Sequence, residues 1–92
     1  MNCFLVTYDI PHDGRRLKVA TALEGYGQRV QYSVFEVWVT EPMQRELIQT
    51  LERLIESGED SVRLYRLCAA CQGQVTVLGQ GDGPQAPGVL II

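Results

Sequence analysis

The sequence predicts an α+β domain, with two helices covering one face of an antiparallel sheet, and three observations lead there. Cys3-Phe4-Leu5-Val6-Thr7-Tyr8 is a run of strand formers that stops at Asp9-Ile10-Pro11, where proline offers no N–H to a ladder. Met43, Leu47, Ile48, Leu51, Leu54 and Ile55 recur at i, i+4, i+8, the spacing of one helix face. Between and beyond these, strand-like and helix-like segments alternate in the order β-α-β-β-α-β. That split order reads as a ferredoxin-like sandwich.

Each element has its own warrant. Residues 3 to 9 read as a strand buried on both faces, with Phe4, Val6 and Tyr8 on one side and Cys3, Leu5 and Thr7 on the other. Pro11, His12, Asp13 and Gly14 form a short loop, with Asp13 as the helix N-cap. Arg15 to Tyr26 read as a helix whose apolar stripe is Leu17, Val19, Ala20, Leu23 and Tyr26, and Gly25 and Gly27 end it. In residues 29 to 39 the apolar phase slips by one between Val34 and Phe35. A flat strand would turn its apolar side over there, so a bulge or tight link near Ser33 is expected. No Asn-Gly or Gly-Gly marks a standard hairpin.

Thr40 caps the second helix, Pro42 sits in its first turn, and Ser57-Gly58 end it. Ser61 to Leu67 alternate as a strand, with Val62 and Leu64 on one face and Arg63 and Tyr65 on the other. Cys68 to Gly73 read as a link and Gln74 to Leu78 as an extra C-terminal strand. The expected domain spans residues 1–78. Residues 79–92 form a glycine- and proline-rich loop and an apolar tail, Val89 to Ile92, expected to pair with a sheet edge of this chain or a partner's.

A chain of 92 residues is one small domain, able to bury only about 60 to 65 per cent of its unfolded surface. Two helices leave the other sheet face uncovered, and a second copy is the natural cover. Apolar content of 46% with 21% charged residues excludes a disordered chain. No apolar run approaches the roughly 18 to 20 residues that span a bilayer, and no signal-peptide pattern opens the chain, so a cytoplasmic protein without membrane contact is expected. Three cysteines, an odd number, argue against a disulfide framework.

The candidate chemistry lies just past the first strand. Asp9 at a strand end sits at the sheet rim, where it can present a ligand or merely start a turn. Net charge is −3, but Arg15, Arg16 and Lys18 cluster beside Asp9 and form a candidate phosphate site on an acidic protein, or else a solvated helix face. Cations in a first helical turn oppose the helix dipole, which points to an anionic ligand. His12 is read as an exposed loop residue with a general base as the alternative; Tyr8 and Phe35 are read as packing. Cys68 and Cys71 have zinc-knuckle spacing, but a structural zinc site needs four ligands. A redox pair lacks its usual βα context, and small thiols in a turn is the reading preferred.

Taken together, Leu5-Val6-Thr7-Tyr8-Asp9-Ile10-Pro11, Arg15-Arg16, Tyr26-Gly27, Arg29-Val30-Gln31-Tyr32-Ser33-Val34-Phe35-Glu36 and Glu59-Asp60-Ser61-Val62-Arg63-Leu64-Tyr65 resemble the CRISPR-associated Cas-two family, in order and at family spacing. The resemblance implies a ferredoxin-like homodimer, and a magnesium-dependent endonuclease acting on RNA or duplex DNA. It also implies assembly with the CRISPR-associated integrase that captures new spacers. It implies that Asp9 binds Mg2+, that two such aspartates face each other across the dimer axis, and that Arg15, Arg16 and the Ser33-Val34-Phe35 segment lie near that cleft. It further implies a C-terminal strand that crosses to the partner. Cys68-Ala69-Ala70-Cys71 is not part of the pattern. Magnesium takes one or two carboxylates plus water and phosphate oxygens; two Asp9 from a dimer meet that need, with Arg15 or Arg16 holding the phosphate. The rival reading is a non-catalytic dimeric scaffold that holds duplex DNA and the integrase.

Overall fold

The computed structural model describes residues 1–79. The chain runs β1 (Asn2–Asp9), α1 (Asp13–Glu24), β2 (Gly27–Gln31), β3 (Val34–Val39), α2 (Glu41–Leu54), β4 (Ser61–Leu67) and α3 (Ala69–Gln72). The four strands form one antiparallel sheet in the order β2-β3-β1-β4. This is the ferredoxin-like α+β arrangement expected from the element order.

The two long helices close one face of the sheet. Phe4, Val6, Tyr8, Phe35, Val37 and Val39 point toward them and meet Val19, Ala20 and Leu23 of α1 and Leu47 and Leu51 of α2. Burial of this apolar surface is the main source of stability. On the opposite face β1 carries Cys3, which is fully buried, and Leu5 and Thr7, which are only half-buried; the strand is enclosed on that side at its start but not along the rest of its length. Two cappers differ from expectation. The N-cap of α1 is His12, whose Nδ1 accepts from the Arg15 backbone N–H at 3.1 Å, so Asp13 is the first helical residue and not the cap. The second helix ends at Leu54 with Ile55 as cap, short of the expected Ser57-Gly58 stop.

Leu17 is 68% exposed and drops out of the α1 stripe, because the sheet-facing arc is centred on Val19, Ala20 and Leu23 and leaves Leu17 at its margin. The phase slip seen in residues 29–39 appears as two strands that pair as a hairpin around Tyr32-Ser33, with a register shift between Arg29 and Gln31. Gly27 is the first residue of β2, not a helix stop. A Cβ there would fall 1.9 Å from the Glu36 carbonyl oxygen, so only glycine allows β2 to approach β3 this closely.

After β4 the chain turns through α3, where a link was expected, and residues 74–78 run outside the sheet. The strand expected there has no ladder: Thr76, Val77 and Leu78 line a hollow with Leu5, Thr7 and Glu36 of the open sheet face and with residues 28–31 of the edge strand β2, without pairing to it. The tail expected to pair, Val89 to Ile92, lies outside the described residues.

Candidate nucleic-acid and metal site

The end of β1 places Tyr8 in the core, where it is 6% exposed, and Asp9 in solvent. Strand alternation puts the Asp9 carboxylate on the opposite side from Tyr8, at the rim of the open face. Among the described residues the three ion pairs use other acids, so Asp9 keeps its oxygens for a ligand. Ser61 of β4 stands opposite it in the ladder.

The two arginines of α1 are handled differently. Arg16 donates from Nη1 to the Ile10 carbonyl at 2.9 Å, one residue past Asp9, and its Nη2 pairs with the exposed Asp13. Arg15 donates from Nε to Asp60 Oδ2 at 2.7 Å, and from Nη2 to Asp60 Oδ1 at 3.1 Å and Glu59 Oε2 at 2.9 Å. The Asp60 side chain is fully buried and also accepts from the Glu56 N–H at 2.8 Å. The hydrogen bonds from Arg15 hold its carboxyl below the usual carboxylate range. The dipole penalty of a cationic first turn is thus offset by carboxylates of the chain itself. Arg15 is locked across to the α2–β4 loop, whereas the Asp13 partner of Arg16 lies in solvent and can be displaced by a phosphate.

His12 has its Nδ1 occupied as the cap acceptor, which places the ring proton of the neutral form on Nε2. Lys18 is exposed on α1. Ser33 offers its carbonyl to the Tyr8 N–H at 3.1 Å. Phe35 is fully buried; its ring lies beneath the Arg29 guanidinium, 5.2 Å from the centroid, and beside Tyr8 at 6.3 Å. No face of that ring is open to a base. Arg29, which sequence reasoning did not single out, also donates to the Tyr32 carbonyl at 3.3 Å, and that carbonyl accepts from the Tyr8 hydroxyl at 3.2 Å. Together with Arg16 and Leu17 these groups line a cavity of about 200 Å³ between α1 and the β2–β3 hairpin. Its one legible signal was a cation immediately before an alternating strand.

A second hollow, about 550 Å³, lies over the open sheet face between Leu5, Thr7, Val34, Glu36 and residues 76–78. Glu36 is 7% exposed there and its Oε2 has no hydrogen-bond partner. Burial raises its carboxyl above the ordinary value. The magnesium implied by the resemblance can be tested against these residues. No group of three metal-ligating side chains exists among the described residues, so the residues present suit an ion that keeps most of its ligands as water and phosphate oxygens. The solvent-facing Asp9, outside the ion pairs of the described residues, fits as a carboxylate ligand for such an ion.

Comparison with known proteins decides the family. Residues 1–75 match the family described as CRISPR associated protein Cas2. This chain belongs to the Cas2 family. It is 52% identical over 83 residues to CRISPR-associated endoribonuclease Cas2 1 of Chloroflexus aurantiacus, covering 89% of each chain. Among solved Cas2 structures, that from Streptococcus pyogenes at pH 6.5 superposes with a TM-score of 0.76 at 38% identity, covering 84% of this chain and 99% of that one. A chain in a partial Cas6-RT-Cas1–Cas2 complex superposes with a TM-score of 0.74 at 33% identity, covering 85% and 91%. Nuclease names and assembly with Cas1 therefore both occur among Cas2 relatives. No helix among the described residues is long and apolar enough to cross a membrane.

Proposed function

We propose that this chain acts in the cytoplasm as a homodimeric, Mg2+-dependent endonuclease on RNA or duplex DNA, and as the small subunit of a spacer-acquisition complex with the CRISPR-associated integrase. The observation that carries the reading is Asp9: a carboxylate at a strand end, in solvent, free of the chain's ion pairs, with Arg16 fixed one residue away. Magnesium, when bound, polarises a phosphoryl oxygen and lowers the pKa of a water nucleophile. Two Asp9 carboxylates, one from each copy, would hold it. Arg16 exchanges Asp13 for a scissile phosphate and Lys18 extends the positive strip along α1, while the Ser33 turn borders the cleft. Arg15 serves by positioning: its grip on Asp60 and Glu59 fixes the start of α1, and with it Arg16. The name of the Chloroflexus relative supports the nuclease, and the complex containing Cas1 supports the integrase partner.

The scaffold reading has its own support, since no group of three metal-ligating side chains is found among the described residues and both α1 arginines are already paired. The discriminating experiment compares wild type with Asp9→Ala on single-stranded RNA and duplex DNA, in magnesium and in chelator, after light scattering establishes that both are dimers. The nuclease reading expects magnesium-dependent cleavage that falls by about 100-fold or more in the variant. Equal cleavage by both proteins rules out Asp9 as the metal ligand. No cleavage by either intact dimer favours the scaffold.

A further inference from the structure

Cys68 and Cys71 belong neither to the core nor to the Asp9 site. Cys68 directly follows β4 and is the N-cap residue of α3; Cys71 lies one turn later. Both side chains are exposed, and their Sγ atoms are 3.1 Å apart. The Cys71 backbone N–H also donates to Cys68 Sγ at 3.3 Å. Two thiols can be bridged without backbone movement only when their side chains already converge, and these do. The turn that brings them together is held independently of sulfur: Gln72 Nε2 donates to the Leu67 carbonyl at 3.0 Å and the Gln72 N–H to the Cys68 carbonyl at 2.9 Å.

We propose that Cys68 and Cys71 form a reversible dithiol–disulfide pair that closes within one chain. A metal is not favoured, because two thiolates fall short of a tetrahedral site and no third ligating side chain joins them among the described residues. The two sulfurs are inequivalent. Hydrogen bonds from Cys71 and the charge of Arg66 lower the Cys68 thiol below its ordinary value, while the same contact raises Cys71. The Cys71 backbone N–H aimed at Cys68 Sγ favours charge on that sulfur, which makes Cys68 the attacking thiolate and Cys71 the resolving thiol.

The oxidant is a small-molecule disulfide such as oxidised glutathione. Cys68 thiolate attacks one of its sulfurs, making a mixed disulfide and releasing one glutathione thiolate, which takes up the proton Cys68 lost. Cys71 then gives up its proton and attacks Cys68 Sγ, releasing the second glutathione as a thiol. Two protein thiols are oxidised and one disulfide is reduced to two thiols. The bond would pin the reversal that carries residues 76–78 from β4 onto the open sheet face.

Cys3 supplies an internal reference. It is fully buried, and burial with the nearby Glu36 charge pushes its thiol up to about 11, so it stays reduced in the folded protein.

The test equilibrates the full chain over a series of oxidised to reduced glutathione ratios, quenches in acid, alkylates the remaining thiols under denaturing conditions and weighs the products. Arg66 is the last trypsin site, so one peptide starting at Leu67 holds both cysteines. The expected result at the oxidising end is one alkylated thiol, Cys3, and a Leu67 peptide lighter by two hydrogens. Mobility on a non-reducing gel should be that of a single chain, and dithiothreitol should restore all three thiols. Cys71→Ser should trap one glutathione on Cys68. Alkylation of all three thiols at every ratio, or a disulfide to a second chain, overturns the proposal.

Discussion

Glu36 and Asp60 are the two buried acids among the described residues, and the fold treats them in opposite ways. Asp60 is satisfied by Arg15 and the Glu56 N–H. Its folded pKa lies below its unfolded value, so the unfolded state binds the proton more readily. The stability it contributes is present above the unfolded value of about 3.9 and is lost as pH falls through the folded one. Asp60→Asn should therefore lower the urea midpoint at neutral pH, with the two proteins converging in strong acid. Glu36 has an orphaned Oε2 and a raised folded pKa. Its favourable protonated form persists below the unfolded value of about 4.3, and stability is lost as pH rises through the folded value. Glu36→Gln should gain about 1–3 kcal/mol at neutral pH and nothing in acid, measured by urea unfolding at both. Neither treatment was legible in the sequence. Arg15 and Asp60 are 45 positions apart, and nothing local told which of the two α1 arginines would be captured. The strand-end position of Asp9 was legible because Pro11 stops the strand regardless of what the strand packs against.

At the scale of elements, α2 was the clearest segment to read because its apolar arc is wide and continuous. Leu47 is fully buried at its centre, and Leu47→Ala should cost about 2–5 kcal/mol, seen as a lower thermal midpoint. The β2–β3 hairpin was legible only as an irregularity: the phase slip announced a break, while the pairing depends on a contact between Gly27 and the Glu36 carbonyl nine residues on. Gly27→Ala should destabilise by about 1–3 kcal/mol through that clash and raise hydrogen exchange in β2 and β3 ahead of β1. The cap of α1 was misread for a similar reason. Asp13 and His12 are both able to accept a backbone N–H, and which does so is set by where β1 releases the chain. Leu17 shows the converse limit: its spacing places it near the apolar stripe, but the arc that meets the sheet is centred on Val19, Ala20 and Leu23 and leaves it exposed.

For the whole molecule, element order carried the ferredoxin-like topology, and the uncovered sheet face followed from having two long helices on a four-stranded sheet. What lies over that face was read less well, since residues 76–78 line the hollow there without joining the ladder. In the proposed function, chemistry needs Asp9 from each of two copies. The most direct measurement mixes wild-type and Asp9→Ala chains in varying proportion, lets subunits exchange, and follows magnesium-dependent cleavage at constant total protein. If both carboxylates serve one site, activity falls as the square of the wild-type fraction, because mixed dimers are inactive. A linear fall would mean that each Asp9 serves its own site independently, and a fall that lags behind the loss of wild-type chains would mean that one Asp9 per dimer suffices; either would contradict a site that needs both carboxylates.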